Sequence, residues 1–186
     1  DEQEFEPGTV YRYLSGNSAL LGYCITRAVG KPLSVYLSER LWSPLGCERD
    51  AYWSLDKKDG QEKAFCCINS NATDFARMGK LYLNYGNWNG KQLIDSTYVA
   101  NSINPTDSKE TDGSKNHSYG YAFYLTEYKG MKVFYMRGIL SQYVICVPEK
   151  NLVICRLGRK SRPKTSDHCP PEVGYCIDAA TQMYGN

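Results

Sequence analysis

Residues 119–157 read YGYAFYLTEYKGMKVFYMRGILSQYVICVPEKNLVICRL, and the fold turns on this stretch. Four runs rich in Tyr, Phe, Val and Ile, at 119–128, 132–136, 142–147 and 152–157, have the composition of strands. Between them stand Gly130, the region of Gly138 and the turn Pro148-Glu149-Lys150-Asn151. Links this short join antiparallel neighbours, so the segment is expected to be an antiparallel meander.

Working outward, a polar linker over 158–171 leads to a final helix, in which Val173, Ile177, Ala180 and Tyr184 recur at helical spacing. Upstream, Leu21, Cys24, Ile25 and Ala28 predict an amphipathic helix over 18–29 that Gly30 ends. A second helix is expected over 33–41, closed by Pro44-Leu45-Gly46. Residues 52–55 and 64–68 are β-like and flank the polar 56–63, which suggests a hairpin-like excursion. Asn71 or Thr73 caps the next helix, whose Phe75, Met78, Tyr82 and Leu83 form one face before Gly86. Asn87-Trp88-Asn89-Gly90 is a turn, 96–102 a short helix and 105–118 a polar loop. Residues 1–118 are thus mainly helical, and 119–186 hold the strands and a closing helix. Helices, then sequential strands, then a helix is an α+β order with an antiparallel sheet packed by helices, not a parallel α/β one.

The composition of the 186 residues, 42% hydrophobic and 23% charged, excludes a disordered or fibrous chain. The net charge of +2 is spread along the sequence and gives no reason to expect nucleic acid or an anionic membrane as partner. One basic run, 156–164, has no interleaved aromatics and reads as a solvated loop. No apolar stretch approaches the roughly 20 residues that span a bilayer. The chain begins without Met and without a signal-peptide pattern, so position 1 is expected to lie inside a larger gene product.

Of the eight cysteines, Cys24, Cys66, Cys67, Cys146 and Cys155 sit in apolar stretches, and buried free thiols are preferred over a disulfide framework. Two pairings stay open: Cys146 with Cys155 across a hairpin, and Cys169 with Cys176 in an oxidising compartment. His168-Cys169 followed by Cys176 has too few ligands at the wrong spacing for zinc; no metal and no cofactor are expected.

The chemistry is sought in Pro7-Gly8-Thr9-Val10-Tyr11-Arg12-Tyr13-Leu14-Ser15-Gly16-Asn17-Ser18-Ala19-Leu20-Leu21-Gly22. This string resembles the serine β-lactamase-related and penicillin-binding-protein-like hydrolases, in which a Tyr-x-Asn or Tyr-x-Ser motif precedes a helix with a Leu-Leu-Gly signature. Further landmarks follow in the order of that family. They are Gly30-Lys31-Pro32-Leu33, Pro44-Leu45-Gly46, Thr73-Asp74-Phe75-Ala76-Arg77-Met78-Gly79, Trp88-Asn89-Gly90-Lys91, Tyr119-Gly120-Tyr121 and Val147-Pro148-Glu149-Lys150-Asn151-Leu152-Val153.

The resemblance implies that Tyr13 is the motif tyrosine, working with a lysine as the acid/base relay around a serine nucleophile. A phenol of pKa about 10 needs a neighbouring ammonium for that task. Ser15 would then bond the lysine or the substrate. Without the family, Tyr13 is a tyrosine stapling a helix N-terminus. The family's Lys-Thr-Gly or His-x-Gly strand motif falls on Met136-Arg137-Gly138. There Gly138 lets substrate approach the backbone and Ile139 supplies an oxyanion N–H. Met136 replaces the usual cation or imidazole, with Arg137 as a substitute, and Leu140-Ser141-Gln142 lacks the glycines often found there.

The family nucleophile, the serine of Ser-x-x-Lys, belongs upstream of the tyrosine motif. None of the residues before Tyr13 is serine or lysine. Ser54-Leu55-Asp56-Lys57 and Ser161-Arg162-Pro163-Lys164 are chance strings, and His117 and His168 lie in polar loops with no nucleophile elbow. The expectation is therefore the C-terminal portion of an acyl-serine hydrolase of amides or esters, inactive alone, with a non-catalytic binding relative as the alternative. Its sheet would keep an open edge at 152–157, to be filled by the missing N-terminal segment or by self-association. A bacterial, periplasmic or extracytoplasmic setting follows from the resemblance, which leaves the Asn71-Ala72-Thr73 and Asn116-His117-Ser118 sequons little weight.

Overall fold

The computed structural model describes residues 4–160 and 169–184. It forms two compact units, Tyr13–Arg77, and Asp1–Arg12 together with Met78–Asn186.

In the first unit, α1 (Ser15–Val29) follows Leu14, which is extended, and ends at Gly30, whose φ of 67° is the left-handed closure that glycine accepts without a Cβ clash. The helix lies where the sequence puts it, but its expected apolar face is not the buried one. Leu21 and Cys24 are exposed, and Gly22 is the buried residue of the helix. Backbone contact explains the difference. A Cβ on Gly22 would stand 2.4 Å from Cβ of Ala64, so the helix closes on its neighbour through the residue with no side chain. α2 (Leu33–Leu37) passes into a π-helical turn, Ser38–Trp42. Buried Trp42 donates through Nε1 to the Arg49 carbonyl at 2.9 Å and meets Phe75 edge-on.

The excursion is a hairpin: β1 (Tyr52–Trp53) pairs antiparallel with β2 (Ile68–Asn69), and a Leu55–Glu62 bridge extends it. Ser54 and Lys57 lie in this hairpin rather than at a helix start, as the chance reading of their string requires. Cys66 and Cys67 are joined to each other, which corrects the expectation of free thiols there. The cause is adjacency: Cys67 takes a φ of 76° and its carbonyl accepts from the Ser54 N–H, so neighbouring sulfurs meet at the end of a turn.

α3 (Ala72–Leu83) carries the chain from the first unit into the second. Asn71 is its cap, the side chain accepting from the Asp74 N–H at 2.9 Å.

In the second unit, β3 (Asn87–Trp88) and β4 (Lys91–Gln92) form a hairpin closed by Asn89-Gly90, both at positive φ, as a two-residue mirror-image turn demands. α4 (Ser96–Ser102) starts at Asp95, which accepts from the Tyr98 N–H. The polar loop that follows is organised by buried Asn116, which donates to the Tyr119 carbonyl and to Thr106 Oγ1 and accepts from the N–H groups of Ser118 and Tyr119.

The meander is present as β5 (Tyr124–Tyr128), β6 (Met131–Gly138), β7 (Gln142–Val147) and β8 (Leu152–Arg156), antiparallel in sequential order. β5 begins later than expected because residues before it close a turn, with the Gly120 N–H donating to the Phe123 carbonyl. α5 (Pro171–Tyr184) covers one face of the sheet, where Val173 and Ile177 pack on Val133, Tyr135, Tyr143, Ile145 and Val147. The other face gathers Phe123, Phe134 and Cys146 with Tyr82 and Leu83 of α3. Covered on both faces, β7 reads as a nearly unbroken apolar run rather than an alternating one.

Cys146 stands opposite Val153 and Cys155 opposite Val144, so the two thiols are offset along the hairpin and both are free. Cys169 and Cys176 are not joined to each other in a disulfide. Among the described residues β8 pairs with β7 alone. Ser161, Arg162, Pro163, Lys164 and His168, which include the end of the basic run, lie outside the described residues.

Candidate functional site

Tyr13 sits on the extended lead into α1, half exposed, and Ser15 is the first residue of that helix and also exposed. Their order is set by the backbone: an extended Leu14 between them turns the chain into the helix.

The unit also holds a buried electrostatic hub. The Asp74 carboxylate, fully buried, accepts from the N–H groups of Glu48 and Arg49 at 3.0 Å each, from the Asn71 amide at 2.6 Å, and from Arg77. Burial pushes its pKa up. The Glu48 and Arg49 N–H groups, then Asn71 and the Arg77 cation, outweigh that and hold it below the ordinary carboxylate range. The Thr73-Asp74-Phe75-Ala76-Arg77 landmark is thus a packing device for the loop after α2.

In the second unit, Gly138 ends β6 opposite Gln142 with an ordinary extended backbone, φ −117° and ψ 171°. A glycine is not needed there for conformation; an added Cβ would press on the Gln142 stem at 3.0 Å. Ile139–Ser141 form a single 3-10 turn. Ile139 is 85% exposed, at the start of that turn, where a helical N–H has no acceptor within the turn. Leu140 and Ser141 follow at φ of 56° and 62°, two successive non-glycine residues in the left-handed region. Such strain persists only where surroundings over-determine it, and it concentrates at working sites.

Those surroundings are visible. The Ser141 carbonyl accepts from Arg156 Nη1, its hydroxyl donates to buried Glu172 at 3.1 Å, and the Gln142 amide grips both the N–H and the carbonyl of Gly158. Sequence reasoning missed this clamp, since its members lie 15, 16 and 31 residues apart in the chain.

Arg137 and Met136 point to opposite faces of the sheet. The Arg137 guanidinium lies 5.6 Å over the Tyr124 ring and pairs across the ladder with Tyr143, on the α5 side. Met136 packs with the Phe123, Phe134 and Cys146 cluster. Arg137, the expected substitute for a cation, thus lies on the opposite face from Met136. Among the described residues, no group of three or more His, Cys, Asp or Glu side chains is arranged to hold a metal.

The family model described as Beta-lactamase matches residues 1–171, and the chain belongs to that family. It is 25% identical over 179 residues to the 6-aminohexanoate-dimer hydrolase of Paenarthrobacter ureafaciens, covering 93% of this chain and 45% of that protein. Among solved structures it is similar to a candidate 6-aminohexanoate-dimer hydrolase from Bacillus anthracis, with 28% identity and a TM-score of 0.83, covering 98% of this chain and 46% of that one. A β-lactamase from Mycobacterium bovis, at 18% identity and TM-score 0.70 over 97% of this chain and 66% of that one, shares the fold. The chain thus spans about half the length of the 6-aminohexanoate-dimer hydrolases it matches. These relatives are hydrolases of the β-lactamase family, and the mixed arrangement of helices and antiparallel sheet is theirs.

Proposed function

We propose that the protein to which this chain belongs hydrolyses an amide or ester through an acyl-serine intermediate, the nucleophile lying outside the residues of this sequence. Tyr13 serves in proton transfer around that serine, with Ser15 as a hydrogen-bonding neighbour, and the Ile139 N–H beside Gly138 receives the oxyanion. The observation that carries the reading is the strained turn after Gly138, held by polar groups from β8 and α5 at the position where the family keeps its oxyanion donor. The relative from Paenarthrobacter ureafaciens is named for a dimer of 6-aminohexanoate, and we extend to this protein a substrate of that kind, a flexible amide without a β-lactam ring. By family resemblance we also set its work outside the cytoplasm.

Met136 favours a second reading. Where many relatives carry a cation or imidazole, this side chain is packed into an apolar cluster, which suits a binding domain that performs no acyl transfer.

The test is the intact mass of the whole protein after incubation with a fluorophosphonate, alongside Tyr13→Phe and this 186-residue chain. An adduct on the whole protein, much reduced in the variant and absent from the chain alone, supports acyl transfer. No adduct across ester, amide and β-lactam probes on folded protein supports the binding domain.

A further inference from the structure

The turn Ile139–Ser141 is held from outside itself, and the holding groups reach it from three directions. Arg156, the last residue of β8, donates through Nη1 to the Ser141 carbonyl. Glu172, buried in the first turn of α5, accepts from the Ser141 hydroxyl. Gln142, immediately after the turn, spans the N–H and carbonyl of Gly158. Gly158 completes the fit by having no side chain. A Cβ there would stand 2.1 Å from Arg156 Nη1, 2.3 Å from the Leu140 carbonyl oxygen and 2.7 Å from that of Ser141.

We propose that Arg156, Gln142 and Glu172 are positioning residues that hold the Ile139 N–H in the orientation needed to bind an oxyanion. This rests on the reading of Ile139 given above. None of the three needs to touch substrate. Their common effect is to keep Leu140 and Ser141 left-handed, a conformation that non-glycine residues leave when released. Were the turn to relax, the peptide between Gly138 and Ile139 would rotate and its N–H would swing away. A donor displaced by about 1 Å costs rate without a matching loss of substrate affinity, because the oxyanion forms only in the transition state.

The experiment uses the intact protein and two variants, Arg156→Met, which keeps an apolar stem, and Gln142→Met. Arg156→Lys, which keeps a donor, is the conservative companion. Amide hydrogen exchange is read at the Gln142 N–H, which closes the turn on the Ile139 carbonyl, and in the middle of β7, and ester hydrolysis gives kcat and KM separately. The expected result is exchange in the turn faster by about tenfold or more with β7 unchanged. It comes with a kcat about ten- to a hundredfold lower, a KM within about twofold, and partial recovery in Arg156→Lys. Unaltered exchange in the turn overturns the clamp. Faster exchange with unchanged kcat, or a rise in KM alone, overturns its role in positioning the donor. No turnover by the unsubstituted protein, with the exchange effect intact, overturns the acyl-transfer reading and the catalytic purpose of the clamp with it.

Discussion

The Arg49 N–H donates to Asp74 Oδ2 at 3.0 Å, joining the loop after α2 to the first turn of α3 across 25 residues of chain. That carboxylate is fully buried and its bonds go to backbone N–H groups, to Asn71 and to Arg77, so its charge is matched where water cannot reach it.

Asp74→Ala strands those donors and is expected to cost about 3 kcal/mol in urea unfolding. The carboxyl pKa is depressed in the folded state, so its contribution is complete above the unfolded value of about 3.9 and is lost as pH falls through the folded one. Unfolding curves at pH 7 and at pH 3 check both statements: the gap between native and variant should narrow at the lower pH.

Gly79 brings α3 onto the sheet. A Cβ there would stand 2.8 Å from methyls of Val144 and Val153 and 3.0 Å from the Cys146 sulfur. Gly79→Ala gains up to about 1 kcal/mol of helix propensity but overpacks a tight contact at a cost of about 1–3 kcal/mol. A net loss is expected in thermal unfolding, and it should shrink when Val153→Ala is added.

The N–H and the exposed side chain of Ile139 can be tested apart by substitution. Ile139→Pro removes the N–H, and the extended backbone of Gly138 already suits a residue before proline. In the intact protein kcat should fall by about a hundredfold or more. Ile139→Ala keeps the N–H and should act mainly on KM, since the side chain is exposed. Equal kinetics in the two variants would remove Ile139 as the oxyanion donor.

The thiols should alkylate in an order set by exposure. Cys24 is exposed and should label first under native conditions. Cys155 is half-buried, with its pKa pushed up to about 11 by burial, and should lag. Cys146 is fully buried, its pKa also raised by burial, and should label only on unfolding. Cys66 and Cys67 should stay unlabelled until a reductant is added. Peptide mass mapping after iodoacetamide reads all of these sites.

What the sequence alone determined is what neighbours along the chain can settle. The meander was legible from Gly130 and the Pro148-Glu149-Lys150-Asn151 turn, because short links leave adjacent strands no choice but to pair antiparallel. A cap at Asn71 or Thr73, the turn Asn87-Trp88-Asn89-Gly90 and helix Ser96–Ser102 were legible for the same reason, each being fixed by contacts within four residues. The order of the landmarks carried the family.

Tertiary structure decided the rest. Periodicity announced an apolar face on α1, yet Gly22 is the residue that buries, because its partner Ala64 lies far along the chain. No local pattern asks Leu140 and Ser141 to turn left-handed; Arg156 and Glu172 hold them there from β8 and α5. Hydrophobic spacing records that a residue wants shelter, whereas only the folded chain supplies the groups that give it, and a polar clamp built from single residues has no period to read.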